Sequence, residues 1–434
     1  MSRQHAIEYR ALEELVERPD NPRTHSDKQI NQLAAAIQAF EIITPILVDG
    51  QNQIIAGHAR IAAARLIGLA RVPTIRIEHL DEDQVLAFLL ADNKLAANAD
   101  WSRELLAVAF QRLIKVDLQL LDLTGFETPE IDLTIQIAEL AEEQDDDVLP
   151  LPSGPTVTQP GDRWCIGGLH YLVCGDATDA AAYARLLDGE RAQIVFTDAP
   201  YNVPIDGHVG GLGSIKHREF PMATGEMSRP AFTGFLSSSF ANLASHSVDG
   251  AIHYICMDWR HMGEVLAAGE TAYSALLNLC VWTKTNGGMG SFYRSQHELV
   301  FVFKAGTGRH INNVELGRHG RYRTNVWSYP GINSFGRNRD EELAMHPTVK
   351  PLALVSDAIL DSSRRNGIVL DAFAGSGTTL LAAHRTGRRG YGIEIDPAYC
   401  DVIIRRLMKS AGLEAVHTSS GRTFAEIAVE KVNP

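Results

Sequence analysis

The sequence predicts two folded parts, a smaller α+β unit and then a larger α/β unit whose mostly parallel sheet carries helices on both faces. Three observations predict this. An acidic and proline-rich stretch over 139–155 divides the chain. Beyond it, short apolar runs alternate with helical segments, the pattern of strand–helix–strand units. Ahead of it, a capped helix is followed by a short hairpin and an alanine-rich helix.

In the first part, Ser26-Asp27-Lys28-Gln29 has the form of a capping box, and Ile30, Leu33 and Ile37 repeat at helical spacing. Thr44-Pro45 opens a strand over 46–48, Asp49-Gly50 signals a turn, and 53–55 pairs back as a hairpin. Gly57-His58-Ala59-Arg60 opens a helix to about Leu66, and further helices are expected over 83–90 and 102–115. The expected division is a domain over 1–100, a helical and acidic linker over 101–155, and the larger domain over 156–434. In that domain strands are expected over 170–174, 192–197, 251–257, 278–282, 299–304, 367–371 and 390–395. Helices are expected over 177–187, 229–244, 260–268, 352–364, 378–386 and 399–410. Ligands of such sheets sit at the carboxyl ends of the strands.

Composition narrows the class. At 434 residues, 45% apolar and 21% charged, the chain suits a soluble protein with more than one core. No apolar run is long enough to predict a membrane span, and the first residues lack the apolar core of a signal peptide. The five cysteines form no C-x-x-C pair, so neither a metal site nor a disulfide framework is expected, and a cytoplasmic setting is. A net charge of −13 taken alone argues against nucleic acid. The charge is segregated, however. Acid clusters over 139–147, whereas 304–339 carries Lys304, Arg309, Arg318, Arg321, Arg323, Arg337 and Arg339 against Glu315 alone.

Two motifs carry chemistry. In Gly367-Ile-Val-Leu-Asp371-Ala-Phe373-Ala-Gly375-Ser-Gly377-Thr378 an apolar strand runs into a glycine loop and a helix. Glycines admit close backbone approach, and the helix start offers free N–H groups. Glu394 ends a later apolar strand, at the spacing of an acid that meets ribose hydroxyls. A nucleoside cofactor is therefore expected. The second motif is Asp198-Ala199-Pro200-Tyr201 at the end of the run Ile194-Val-Phe-Thr197. Its carboxylate can accept from an amine, and its ring can stack on a planar base. Alone it would read as a turn.

Together the motifs resemble those of the DNA amino-methyltransferases that use S-adenosylmethionine. Phe373-Ala-Gly375-Ser-Gly377 matches their F-x-G-x-G element, and Asp198-Ala199-Pro200-Tyr201 matches their acid-Pro-Pro-aromatic tetrad except at its first proline. The order, tetrad before glycine loop, resembles the permuted β group. Cys174-Gly-Asp176-Ala-Thr178, His346-Pro-Thr348-Val-Lys350-Pro351 and Gly392-Ile-Glu394 fit further elements of that group, over roughly 157–410. The resemblance implies a Rossmann-like sheet. It implies cofactor contacts from Asp176, Thr348, Lys350, Asp371, Phe373, Gly375, Gly377, Thr378 and Glu394, and a target-recognition segment over about 304–342, with Arg318, Arg321, Arg323, Arg337 and Arg339 on duplex DNA. Tyr322, Trp327, Tyr329 and Phe335 interleave with these arginines, and a glycine-rich stretch over 203–229 is a candidate cover for a flipped base. The first part resembles ParB-like N-terminal domains, related in fold to sulfiredoxin, through Asn21-Pro22-Arg23 and Ile55-Ala56-Gly57-His58-Ala59-Arg60. His58 and Ala59 depart from that family's G-E-R-R box, and without a cysteine there sulfiredoxin activity is not expected.

The resemblance implies transfer of a methyl group to the N6 amine of adenine. Asp198 and the Ala199 carbonyl would accept the amine hydrogens and Tyr201 would stack on the extruded base. Cytosine-N4 methylation, an RNA substrate, and a ParB-type regulator with a weakly active methyltransferase domain are the alternatives. Homodimerisation is left open.

Overall fold

The computed structural model describes residues 5–99, 101–140, 155–202, 225–284, 287, 292–317, 321–330 and 350–432. The chain divides into two units, Met1–Glu143 and Gln144–Pro434.

The first unit has a four-stranded sheet of β1 (Ile7–Ala11), β2 (Ile46–Val48), β3 (Ile54–Ala56) and β4 (Arg71–Arg76) in the order β1-β4-β2-β3. Only β2 and β4 run parallel. Helix α1 (Asp27–Phe40) begins at Ser26, whose side chain accepts from Gln29 N at 3.2 Å. The return half of the expected capping box is absent there, because the Gln29 side chain pairs with His25 instead. A complete box forms at Asp81 and Gln84, ahead of α3 (Glu82–Ala97). In the hairpin Asp49 Oδ1 accepts from Gln51 N and Gln53 N, both at 2.8 Å, and Asn52 takes the left-handed conformation. Gly57 starts α2 (His58–Leu66) at φ 108°, where a Cβ would lie 2.7 Å from Ile46 Cδ1. The stretch read as linker is folded as far as 140: α4 (Arg103–Val116), α5 (Leu118–Asp122) and α6 (Thr128–Leu140) enclose Phe110, Leu121, Ile131 and Ile135.

The second unit is built on a ten-stranded sheet of order β11-β9-β10-β8-β7-β12-β13-β6-β5-β14. Its strands are β5 (Arg163–Ile166), β6 (His170–Cys174), β7 (Ala192–Asp198), β8 (Ser247–Met257), β9 (Ala275–Thr283), β10 (His297–Lys304), β11 (Val326–Ser328), β12 (Ile368–Asp371), β13 (Arg389–Glu394) and β14 (Ala415–His417). The run β8-β7-β12-β13-β6 is parallel throughout, and antiparallel pairings flank it. Strand alternation shows that both faces are covered. Val195 of β7 and Leu299, Phe301 and Phe303 of β10 join one core with α7 (Ala180–Leu187), α8 (Arg229–Ser245) and α9 (Met262–Ala272). Ile194, Phe196, Val300 and Val302 face the opposite core, with α10 (Leu352–Ser362) and α11 (Thr378–Arg385). A third core joins β5 and β14 to α12 (Pro397–Ala411) and to Phe424 of α13 (Phe424–Val432).

Asp401 of α12 fastens the chain where it enters this unit. Its carboxylate accepts from Val157 N at 2.7 Å, Thr158 N at 3.0 Å and Thr158 Oγ1 at 2.6 Å. Truncating it would strand three buried donors. Asp401→Ala is expected to destabilise this unit by about 3 kcal/mol and to lower its calorimetric melting temperature by roughly 6–12 °C.

Candidate active site at the carboxyl edge of the parallel strands

Parallel strands end together, and here they end in acids. Asp198 closes β7, Asp371 closes β12 and Glu394 closes β13, while Asp176 follows β6 by two residues. Thr197 Oγ1 donates to Asp371 Oδ1 at 2.7 Å, and Phe373 N donates to the same oxygen at 3.0 Å. These bonds tie the tetrad strand to the glycine loop. Burial pushes the Asp371 carboxyl up to about 6.

The loop itself is held from three sides. Gly375 N donates to Glu394 Oε2 at 2.8 Å, and Asp396 N donates to Oε1 at 2.9 Å. Gly377 stands at φ 80°, and a Cβ there would lie 2.9 Å from Ile403 Cγ2. The buried Arg406 donates to Ser376 O and Thr378 Oγ1, both at 2.9 Å. Burial pushes Glu394 up to about 7, against the two backbone donors. Phe373 packs on Phe235, with ring centroids 5.8 Å apart. Asp176 Oδ1 accepts from Thr178 N and Oγ1 at 2.8 Å, which fixes the turn after β6.

Around the tetrad the structure assembles a charged cluster. Lys350 Nζ donates to Asp198 Oδ2 at 2.5 Å and to the Tyr201 hydroxyl at 3.2 Å, and it lies 3.1 Å from Glu298 Oε2. The Tyr201 hydroxyl stands 2.9 Å from both Asp198 Oδ1 and Glu298 Oε2. Lys284 closes the cluster against Glu298 Oε1 at 2.5 Å. The Lys350, Glu298 and Asp198 side chains are 5%, 12% and 21% exposed. Burial raises the Asp198 carboxyl, and Lys350 opposes the rise. Burial would lower the Lys350 ammonium, but Asp198 and Glu298 raise it. Burial would also raise Glu298, yet Lys350 and Lys284 hold it down to about 2. Lys350, expected beside the cofactor, is thus engaged by the tetrad.

Ala199 is buried in the same core as Val195, and Asn202 is a further anchor. Asn202 Oδ1 accepts from Gly225 N and Met227 N at 3.1 and 3.2 Å. Its amide donates to Met227 O at 2.9 Å. Glu298, Lys284 and Asn202 were not singled out from the sequence. Glu298 sits at the start of an apolar strand, and an isolated carboxylate in that run was the available signal.

Arg321 and Arg323 were expected on DNA, and the structure gives them other partners. Arg321, whose side chain is 4% exposed, reaches Asp361 Oδ1 at 2.7 Å and Asp357 Oδ1 at 3.3 Å. Arg323 reaches Asp361 Oδ2 at 3.0 Å and the Tyr329 hydroxyl at 2.8 Å. Two carboxylates one helical turn apart on α10 draw both guanidinia inward, so these arginines fasten the segment to the helix. Tyr322 between them is exposed. Arg318, Arg337, Arg339, Phe335 and Thr348 lie outside the described residues, as does the stretch 203–224. Between β9 and β10, Phe292 and Tyr293 are 86% and 81% exposed, and Arg294 follows them.

Comparison with known proteins fits this edge. A family model described as DNA methylase, of the N6/N4 type, matches residues 192–405, and a model of the ParB N-terminal domain matches residues 1–94. The type II methyltransferase M2.DpnII of Streptococcus pneumoniae is 31% identical over 257 residues, which are 53% of this chain and 87% of that one. The chain belongs to the DNA methylase family. Against the type II methyltransferase M.ScaI of Streptomyces caespitosus it is 38% identical over 92 residues, which cover 21% of this chain and 30% of the relative. A solved structure, the M1.HpyAVI–SAM complex, matches 54% of this chain and 98% of its own at 20% identity, with a TM-score of 0.41. The methylase sheet is preceded by a ParB-type domain. Among the described residues no group of side chains could hold a metal ion, and no helix is long and apolar enough to cross a membrane.

The ion-pair assignment is testable apart from catalysis. Removing Arg321 leaves Asp357 and Asp361 to Arg323, so the cost lies toward the lower end of the range of about 3–5 kcal/mol for breaking a buried pair. Arg321→Ala is expected to shift urea unfolding of the methylase unit by that order. An unchanged midpoint with altered DNA sequence preference would return Arg321 to the DNA.

Proposed function

We propose that this protein transfers a methyl group from S-adenosylmethionine to the exocyclic N6 amine of adenine in duplex DNA. The observation that carries the reading is the convergence of two half-sites on one sheet edge. A nucleoside cradle of Asp371, Gly375, Gly377 and Glu394 is joined through Thr197 to the carboxylate and ring of Asp198 and Tyr201.

The residues present suit the cofactor. Gly375 and Gly377 both hold positive φ, the conformation glycine adopts freely, and at Gly377 a Cβ would also press on Ile403. Glu394 suits ribose hydroxyls, which donate. Phe373 and Thr378 flank the glycine loop, Asp176 stands in the turn after β6, and Thr348 is assigned by its motif alone. When bound, S-adenosylmethionine supplies an electrophilic methyl group on a sulfonium. An aromatic amine is a weak nucleophile because its lone pair is delocalised into the ring. Asp198 and the Ala199 carbonyl accept its two hydrogens and return that pair to the nitrogen, while Tyr201 stacks on the base. Well-oriented reactants gain roughly 7–11 kcal/mol over free encounter, so a rigid strand end is a suitable platform. Position 199 contributes a carbonyl, which alanine retains; proline would add only a fixed φ. The acid at the head of the tetrad favours adenine over the cytosine-N4 reaction. For the DNA face, Phe292, Tyr293 and Arg294 join Arg318, Arg337 and Arg339 as the proposed contacts.

Methyl label from the cofactor is expected in duplex DNA as N6-methyladenine, with Asp198→Ala lowering the rate about 10²–10⁴-fold. Label found as N4-methylcytosine would replace the adenine reading, and label confined to RNA would replace the DNA one. Cofactor affinity should also depend on pH. Glu394 is raised to about 7 in the free protein, and its ionised form, an acceptor at both oxygens, is the better partner for ribose hydroxyls. Binding therefore tightens as pH rises through 7, by about tenfold between pH 6 and 8, with release of a proton. Calorimetry in two buffers measures both, and Glu394→Gln should flatten the slope.

A further inference from the structure

Both oxygens of the tetrad carboxylate already carry a donor before any base arrives. Asp198 Oδ2 receives Lys350 and Oδ1 faces the Tyr201 hydroxyl. A target amine hydrogen arriving at Oδ1 competes there with the Tyr201 hydroxyl, and a shared oxygen accepts each donor more weakly. A phenol has a single hydrogen, and Tyr201 stands 2.9 Å from two carboxylates, Asp198 and Glu298. It can donate to either, and turning from one to the other leaves no buried donor unmet. Glu298 is placed for this by strand register. It lies opposite Trp282 of β9, and the next residue, Leu299, lies opposite Met257 at the end of β8, the strand beside β7. Lys350 lies over the rings of Tyr201 and Trp282, at 5.4 and 5.8 Å from their centroids.

We propose that Glu298 and Lys350 are positioning residues for amine methylation: Glu298 takes over the Tyr201 hydroxyl when the base enters, freeing Asp198 Oδ1, while Lys350 keeps Asp198 ionised. The exchange makes and breaks hydrogen bonds only. The inference rests on the amine-methylation reading above. Among the described residues, the groups around Asp198 are Lys350, Glu298 and Tyr201, with Cys256 of β8 and Asp371 of β12, and Lys284 behind Glu298. Lys350 and Lys284 are the cations among them, and only Lys350 touches Asp198.

The test uses the full chain, labelled S-adenosylmethionine and unmodified duplex DNA, with kcat/KM followed against pH. Lys350→Met should raise the acid limb by about one pH unit or more, because an opposite charge is lost beside Asp198. Lys350→Arg should restore it. Glu298→Met should move the limb down, since a like charge is lost, yet lower kcat about tenfold for want of an acceptor. In a Tyr201→Phe background, with no hydroxyl to hand over, Glu298→Met should cost far less. Two results would overturn the proposal: limbs that stay in place with additive losses, or Lys350→Met weakening cofactor binding in calorimetry while the limb stays. The Glu298 cycle decides alone if Lys350→Met does not fold. Wild-type transfer no greater than that of Asp198→Ala would overturn the amine-methylation reading itself.

Discussion

Thr197 and Asp371 are 174 residues apart in the chain and share a hydrogen bond of 2.7 Å. The bond crosses from β7 to β12 at the edge where both strands stop. It fixes the height of the glycine loop relative to the tetrad. A nucleoside on one side and a base on the other need that height, since a displaced near-attack geometry forfeits much of the gain from orientation. Burial sharpens the constraint. Asp371 and Thr197 are both shut away from water, so neither has a solvent partner to take instead.

Much of the architecture was legible because buried parallel strands announce themselves. Residues 170–174 were expected as a strand and form one with those bounds, and the run 192–197 extends by Asp198 alone. Apolar residues facing two cores leave no polar alternation to confuse the reading. The margins of the sheet escaped notice for the converse reason. β5, β11 and β14 have three or four residues each and are defined by their neighbours rather than by their own pattern. The helices over 103–140 were read partly as linker because acid follows them directly, although Phe110 and Ile131 carry a core of their own.

The site was legible where chemistry sits in contiguous motifs, at Asp198, Tyr201, the glycine loop and Glu394. It was not legible where tertiary pairing assigns the partners. Nothing local to Lys350 says that it meets Asp198 rather than a cofactor. Nothing local to Arg321 and Arg323 says that Asp357 and Asp361 will claim them. A row of arginines reads as a nucleic-acid face until the acids that neutralise it are placed, and those acids lie 34–40 residues further on.

The span between Thr197 and Asp371 also has a meaning in time. A ribosome adding about 5–20 residues per second needs on the order of 10–35 s to travel from one to the other. During that interval β7 can pair with β8 but not with β12, so one of its edges waits unpaired. The ParB-type domain, made first, has every strand of its sheet before β7 emerges. The edge of β6 that later meets β13 waits as well, so the nascent methylase is exposed at the two strand edges that later flank its centre, and chaperone demand during synthesis should concentrate there.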